Sequence, residues 1–194
     1  MTITLLRHGL TEANEKKLYY GKTDIFLSEN GKNELIKLKT EGIYKNLNPK
    51  LFISSGAKRS VETLEILFNI LPDYIIPELG EYDFGIFEMK SHDELNGNEF
   101  YQNWLTDIVA GKDEYKIPEG ESRTEYKSRI IIGLDKLLKI SEDNETLAVL
   151  HGGSISFIMK ILFPDEKNYY EWLPSAGRGY KIEMNGNEKK YYLV

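Results

Sequence analysis

Apolar positions in this chain alternate between short continuous runs and longer stretches in which they recur every three or four residues. Residues 1–6 (MTITLL), 50–54 (KLFIS), 74–76 and 146–150 (TLAVL) are too short for helices, and their β-branched, apolar makeup predicts buried strands. Helical periodicity fills the intervals. Ser28 caps an amphipathic stretch through about residue 46 with Leu35, Leu38 and Ile43 on one side. Residues 60–71 place Val61, Leu64, Ile66 and Leu67 inward. Residues 121–140 predict a long helix with Ile130, Ile131, Leu134, Leu137 and Leu138 as its apolar face, and residues 154–162 a further helix that Pro164 ends. The tail, residues 180–184 and 189–194 around Asn185-Gly186-Asn187, reads as a hairpin. Such alternation predicts a three-layer α/β architecture, its sheet mostly parallel and covered on both faces, with an antiparallel edge from the terminal hairpin. Between residues 82 and 119 the pattern breaks into aromatic-rich pieces. These are expected to form an insertion over the carboxyl edge of the sheet, within one domain spanning residues 1–194.

Composition narrows the chemistry. The 194 residues include no cysteine, which removes disulfides, thiolate nucleophiles and cysteine-based zinc sites together. There is no apolar run of about 18 residues and no basic segment leading into an apolar one at the start, so neither a membrane span nor a secretory leader is expected. A cytoplasmic protein is the expectation. A formal charge of −6, from 25 basic and 31 acidic residues, argues against nucleic acid as a partner. Oligomeric state is not legible. Only five of the basic residues are arginine (Arg7, Arg59, Arg123, Arg129 and Arg178), which directs attention to places needing a planar, forked cation.

The chain has three histidines, and two stand at carboxyl ends of predicted strands, where open α/β sheets carry ligands. His8 lies in Leu6-Arg7-His8-Gly9, and His151 opens His151-Gly152-Gly153. Ser54-Ser55-Gly56-Ala57-Lys58-Arg59 follows the second strand, and the loop after the third carries the carboxylates Glu81, Asp83 and Glu88. Together these are the parts of phosphoryl transfer through a histidine: a nucleophile, forked cations for the phosphoryl oxygens, and a proton donor for the leaving oxygen. Other readings fit less well. His8 and Glu12 have metal-ligand spacing for a helix, but Gly9 and the strand context oppose a helix there. The segment His151 to Ser154 has the look of an esterase oxyanion loop, yet the chain lacks a Gly-x-Ser-x-Gly elbow. His92, within Ser91-His92-Asp93-Glu94, reads as a surface or helix-start residue.

Leu6-Arg7-His8-Gly9-Leu10-Thr11-Glu12-Ala13-Asn14 resembles the signature of the histidine phosphatase superfamily, the phosphoglycerate mutase-like fold. The segments 20–31, 54–59, 78–88, 120–122 and 149–155 resemble that family's later motifs, in order, so the likeness spans essentially the whole chain. It implies that His8 is phosphorylated, that Arg7, Arg59 and His151 bind the phosphoryl group, and that Glu81 acts as acid and then base. It also implies donors to phosphate oxygens from Asn14 and from the backbone at Gly21 and Gly152, with no metal and no cofactor. Four positions depart from the pattern: Leu10 for a polar residue, Gly56-Ala57 for Pro-Leu, and Ser156 for an arginine.

The implied substrate is a small phosphomonoester. In the mutase branch the insertion is longer and carries paired arginines, whereas residues 82–119 contain none. That favours a phosphatase acting on an ester with an apolar or aromatic alcohol, similar to the α-ribazole phosphatases. A cofactor-dependent phosphoglycerate mutase is the alternative, and a scaffold built on an inactive phosphatase fold stands behind both. The aromatics Phe84, Phe87, Phe100, Tyr101 and Trp104 are expected either to line a substrate pocket or to pack the insertion onto the sheet.

Overall fold

Strand β1 (Thr2–Arg7) and strand β6 (Glu145–Leu150) lie side by side and parallel, in a register that sets Arg7 opposite Leu150. They therefore end at the same level, and the residues that follow them, His8 and His151, become neighbours. Around this pair a computed structural model describes residues 1–186 and 188–194; Asn187, the last residue of the expected turn, lies outside the described residues.

The sheet has six strands in the order β4-β3-β6-β1-β7-β8. Strands β3 (Leu51–Ser54) and β4 (Tyr74–Ile75) continue the parallel part, and β7 (Gly179–Asn185) and β8 (Glu188–Leu193) form the antiparallel edge. Helices cover both faces. On one, Leu6, Leu147 and Val149 meet Leu35 of α2 (Glu29–Thr40) and Leu64 and Leu67 of α3 (Lys58–Phe68). On the other, Ile3, Leu5, Ala148 and Leu150 meet α6 (Arg123–Ile140) and α7 (Gly152–Leu162). Successive strand residues point to opposite faces, and each strand is apolar on both, so β1 and β6 can lie at the centre of the sheet.

Several boundaries differ from expectation for local reasons. The first long helix stops at Thr40 rather than residue 46, because the chain turns at Gly42 and the Ile43 N–H returns to the Leu38 carbonyl (3.2 Å). The next helix stops at Phe68, where Asn69 takes a left-handed conformation (φ 57°), and Val61 and Ile66 on it are only half-buried. On α6 the inward face is Tyr126, Ile130, Leu134 and Leu137; Ile131, expected inward, is 48% exposed, since it lies 100° around the helix from Ile130.

The segment 82–119 is more ordered than its broken pattern suggested. It holds β5 (Lys90–Ser91), α4 (His92–Leu95) and α5 (Glu99–Val109). Strand β5 pairs with β2 (Leu18–Tyr19), which follows the short helix α1 (Glu12–Glu15). Helix α5 packs Tyr101, Trp104, Leu105 and Ile108 inward at helical spacing, with Asn98 as its cap. His92 begins α4, and its Nδ1 lies 2.8 Å from the Tyr101 hydroxyl. Among the described residues no helix is long and apolar enough to cross a membrane.

Helix α6 begins with a reciprocal cap: the Ser122 hydroxyl accepts the Glu125 N–H while Glu125 accepts the Ser122 N–H. Replacing Ser122 by alanine should cost about 1 kcal/mol. The measurement is a lower denaturant midpoint at unchanged m.

Candidate active site

The ends of β1, β3 and β6 converge on a buried cluster. The His8 N–H continues the ladder by donating to the Leu150 carbonyl (3.0 Å), which draws the His8 ring under the sheet edge, where it is 3% exposed. Its Nδ1 lies 2.7 Å from the Gly9 carbonyl. A carbonyl can only accept, so Nδ1 carries the proton and Nε2 keeps the free lone pair. The His151 ring is 5.2 Å away, nearly edge-on, with its Nε2 2.7 Å from the Ser55 hydroxyl.

Arg59, in the first turn of α3, is 1% exposed and stacks on Tyr20. Its Nη1 donates to the Thr23 carbonyl (3.1 Å) and its Nη2 to the Gly21 carbonyl (2.8 Å). Arg7 Nη1 donates to the Pro174 carbonyl (2.9 Å). Among the described residues neither guanidinium has a carboxylate within ion-pair distance. Buried Nε atoms of both, and His151 Nδ1, have no protein partner. An isolated buried charge costs on the order of several kcal/mol, so the buried Arg59 with the half-buried Arg7 beside it, both held by carbonyls, define a place that an anion completes.

The field of this cluster acts on the histidines. Burial, then Arg59 and then Arg7, pushes the His8 pKa well below 6.5. Burial and Arg59 do the same to His151, with smaller contributions from His8, Arg129 and Arg7. Both rings are therefore neutral near pH 7, and His8 presents an unprotonated Nε2.

Of the three carboxylates expected after the third strand, Glu81 and Asp83 both line the polar cavity beside Arg59 and His151, and the one bonded to the start of α7 is Glu81. Its Oε1 accepts from the Tyr82 N–H (2.9 Å) and the Tyr126 hydroxyl (2.7 Å), and its Oε2 from the Gly153 N–H (3.0 Å). A Cβ on Gly153 would lie 2.3 Å from Glu81 Oε1, so this approach needs glycine. The loop carrying Glu81 is clamped by Arg129, which donates to the carbonyls of Glu78, Gly80 and Glu81 and is balanced by Glu121 (2.6 Å). Asp83 pairs with Lys22 (3.2 Å). Glu88 accepts the N–H groups of Gly21, Lys22 and Thr23, which turns the Gly21 and Thr23 carbonyls toward Arg59.

Gly21 thus meets the cluster by a different atom from the one expected. Its N–H is held by Glu88 (2.9 Å), and its carbonyl serves Arg59. Gly21 is also pressed against the Tyr82 carbonyl, which a Cβ would approach to 1.7 Å. Gly152 opens α7 beside the Arg7 guanidinium, at a helix N-terminus suited to an anion. Asn14 joins through Tyr20: its Oδ1 accepts from Thr11 and from the Tyr20 hydroxyl (2.9 Å). All eight expected site residues thus gather in one region.

Two cavities meet at Glu81. One, of about 260 Å³, is polar and touches Arg59, His151 and Ser55. The other, of about 330 Å³, is walled by Tyr82, Phe84, Trp104, Tyr126 and Tyr169, with Arg123 in its lining. Of the aromatics noted in the insertion, Phe84 and Trp104 line this pocket, Phe87 and Tyr101 are buried in packing, and Phe100 is 48% exposed. Counting arginines in residues 82–119 therefore understates the cations near the site, since Arg123 and Arg129 arrive from α6. The arginine scarcity that singled out Arg7 and Arg59 applied equally to these two. Tyr126 carried no comparable signal, and Glu88 and Gly153 stood in the sequence only as members of motifs, with no role of their own.

Comparison with known proteins agrees with this architecture. The sequence model of the histidine phosphatase superfamily (branch 1) matches residues 3–190, and the chain belongs to that superfamily. It is similar to the crystal structure of the alpha-ribazole phosphatase from Shigella flexneri, with a TM-score of 0.85 and 26% identity, covering 100% of this chain and 96% of that one. It is also similar to proteins named Probable phosphoglycerate mutase GpmB. The one from Escherichia fergusonii is 28% identical over 164 residues, 84% of this chain and 74% of that protein. The one from Erwinia tasmaniensis is 27% identical over the same shares. The protein is accordingly a phosphatase-superfamily enzyme.

Below pH 6.5, the ordinary histidine value, the unfolded chain binds protons at positions 8 and 151 that the folded protein refuses. Stability should therefore fall as pH drops from about 6.5, by about 1.4 kcal/mol per pH unit for each histidine once the unfolded form is protonated. Denaturant titrations across pH 4.5–7.5 (about two units below that value and one above) measure this slope. His8→Asn should remove about one proton's share of it.

Proposed function

We propose that this enzyme hydrolyses small phosphomonoesters through a phosphohistidine at His8. The observation that carries this reading is the pair of guanidiniums, Arg59 buried and Arg7 half-buried, which among the described residues have no carboxylate partner and lie beside a neutral histidine whose Nε2 is free. A phosphoryl group supplies the missing negative charge, taking donors from Arg7, Arg59, His151, the Gly152 N–H and the Asn14 amide. His8 Nε2 attacks phosphorus as the ester P–O bond breaks, and Glu81 gives its proton to the departing alkoxide. In the second half, Glu81 as carboxylate takes a proton from water while the water oxygen attacks phosphorus and the P–Nε2 bond breaks. Phosphate leaves and neutral His8 returns. The hydrogen bonds to both Glu81 oxygens in this structure suit the base form.

The aromatic pocket beside Glu81 supports an ester whose alcohol portion carries a flat apolar ring, and α-ribazole phosphate, the substrate class named for the Shigella flexneri neighbour, is such an ester through its base. The curated relatives named as mutases, and the presence of Arg123, keep phosphoglycerate mutase as the second reading. The enzyme should release inorganic phosphate from a range of monoesters, with little interconversion of 2- and 3-phosphoglycerate even when 2,3-bisphosphoglycerate is supplied. Isomerisation outpacing phosphate release would promote the mutase.

Acid-labile, alkali-stable phosphorylation should be trappable on the native enzyme and absent in His8→Ala; near-normal turnover by that variant would overturn the nucleophile assignment. Glu81→Gln should lower kcat about 10²–10⁴-fold for alkyl phosphates. The loss should be much smaller for p-nitrophenyl phosphate, whose leaving group needs little protonation. Gly153→Ala, which pushes on Glu81 Oε1, should reproduce that leaving-group dependence in weaker form.

A further inference from the structure

Arg123 stands apart from the other arginines of the site. Arg7 and Arg59 face the phosphoryl position, and Arg129 is spent on carbonyls and Glu121. Arg123 instead enters the wall of the aromatic pocket from the first residue of α6, with its side chain only 14% exposed. Its guanidinium stacks on Tyr169 (4.9 Å) and reaches over Phe157 (5.7 Å). Asp113 meets it on one edge only, Oδ1 to Nε at 3.3 Å, and among the described residues no protein acceptor takes Nη1 or Nη2. The backbone on either side is pinned: the Thr124 N–H and hydroxyl both donate to the Asp113 carbonyl (2.9 Å each). The forked end is thus preorganised, flattened against aromatic faces, and open toward the cavity that ends at Glu81.

We propose that Arg123 is a specificity residue that holds a carboxylate on the planar, aromatic alcohol portion of the substrate. A guanidinium fixed by stacking loses little freedom when it forms a bidentate pair with a carboxylate, and the aromatic walls around it lower the local dielectric and strengthen that pair. Asp113 keeps Arg123 oriented while leaving its two terminal nitrogens for the ligand. The same walls accept the flat ring that bears the carboxylate. Because Arg123 sits at the alcohol end, away from the phosphoryl cluster, its contribution is uniform binding: it lowers KM and leaves kcat almost unchanged. The proposal rests on phosphomonoester hydrolysis as the reaction of this site.

The test compares phenyl phosphate with 4-carboxyphenyl phosphate, which share a ring and differ by the carboxylate. The native enzyme should favour the carboxylated ester by about tenfold or more in kcat/KM, mostly through KM. In Arg123→Met this preference should fall to about one, through a rise in KM for the carboxylated ester, and Arg123→Lys should restore part of it. Equal use of the two esters by the native enzyme, or a preference that survives in Arg123→Met, overturns the proposal. A second measurement does not depend on turnover: 4-hydroxybenzoate should quench the fluorescence of Trp104, in the pocket wall, at about tenfold lower concentration than phenol does. If neither ester is hydrolysed, the phosphatase reading fails, and this binding comparison on the native protein still decides the role of Arg123: equal binding of the two phenols sinks it.

Discussion

Two guanidinium groups withdrawn from water without a carboxylate, Arg59 fully buried and Arg7 half-buried, are the costly feature on which the rest of this structure depends. Arg7 and Arg59 are held by carbonyls of Pro174, Thr23 and Gly21, and those carbonyls are themselves placed by other contacts. Glu88 binds three successive N–H groups of the loop 21–23 so that its oxygens can face Arg59. The carboxylate that would neutralise the arginines directly is thus kept one peptide layer away. Charge balance is left to the ligand, and burial, reinforced by the arginines' field, depresses the basicity of both histidines. The anion affinity and the nucleophilic imidazole proposed for this site would come from the same arrangement.

Glu81 lives under the opposite constraint. A carboxylate beside two unneutralised cations would collapse onto them if its loop were free. Arg129 takes three carbonyls of that loop, Ser154 a further bond to Gly80, and Tyr126 and Gly153 fix the two carboxylate oxygens. Glu81 therefore stays at the seam between the polar and aromatic cavities, where a leaving oxygen and a water molecule can each reach it. Helix α6 contributes to three separate parts of this assembly: Arg129 to the clamp, Tyr126 to the Glu81 carboxylate, and Arg123 to the pocket wall.

What was legible in the sequence follows from what strands and helices need locally. Buried strands must be apolar on both faces, so β1 and β6 announced themselves, and the residues just beyond them could be named before any contact was known. The motif order then carried the family, and with it His8, Arg7, Arg59, Glu81 and His151. Helix ends were less legible because a left-handed residue such as Asn69, or a returning bond such as Ile43 to Leu38, is a matter of backbone geometry. Helix α5 was hidden in an aromatic-rich stretch although its stripe of Tyr101, Trp104, Leu105 and Ile108 has helical spacing.

By itself, then, the sequence determined the layered α/β architecture, the strand ends that carry the histidines and arginines, and the superfamily. Those depend on periodicity and on contiguous motifs. Only the tertiary structure decided which atom of each residue meets the site. Gly21 offers its carbonyl because Glu88, 67 residues away, has taken its N–H. Arg123 and Arg129 enter because α6 packs beside the loop 77–81, a juxtaposition of segments about 50 residues apart that no local pattern encodes. Partners so distant in the chain are chosen by packing, and packing is settled only when the whole sheet and its helices come together.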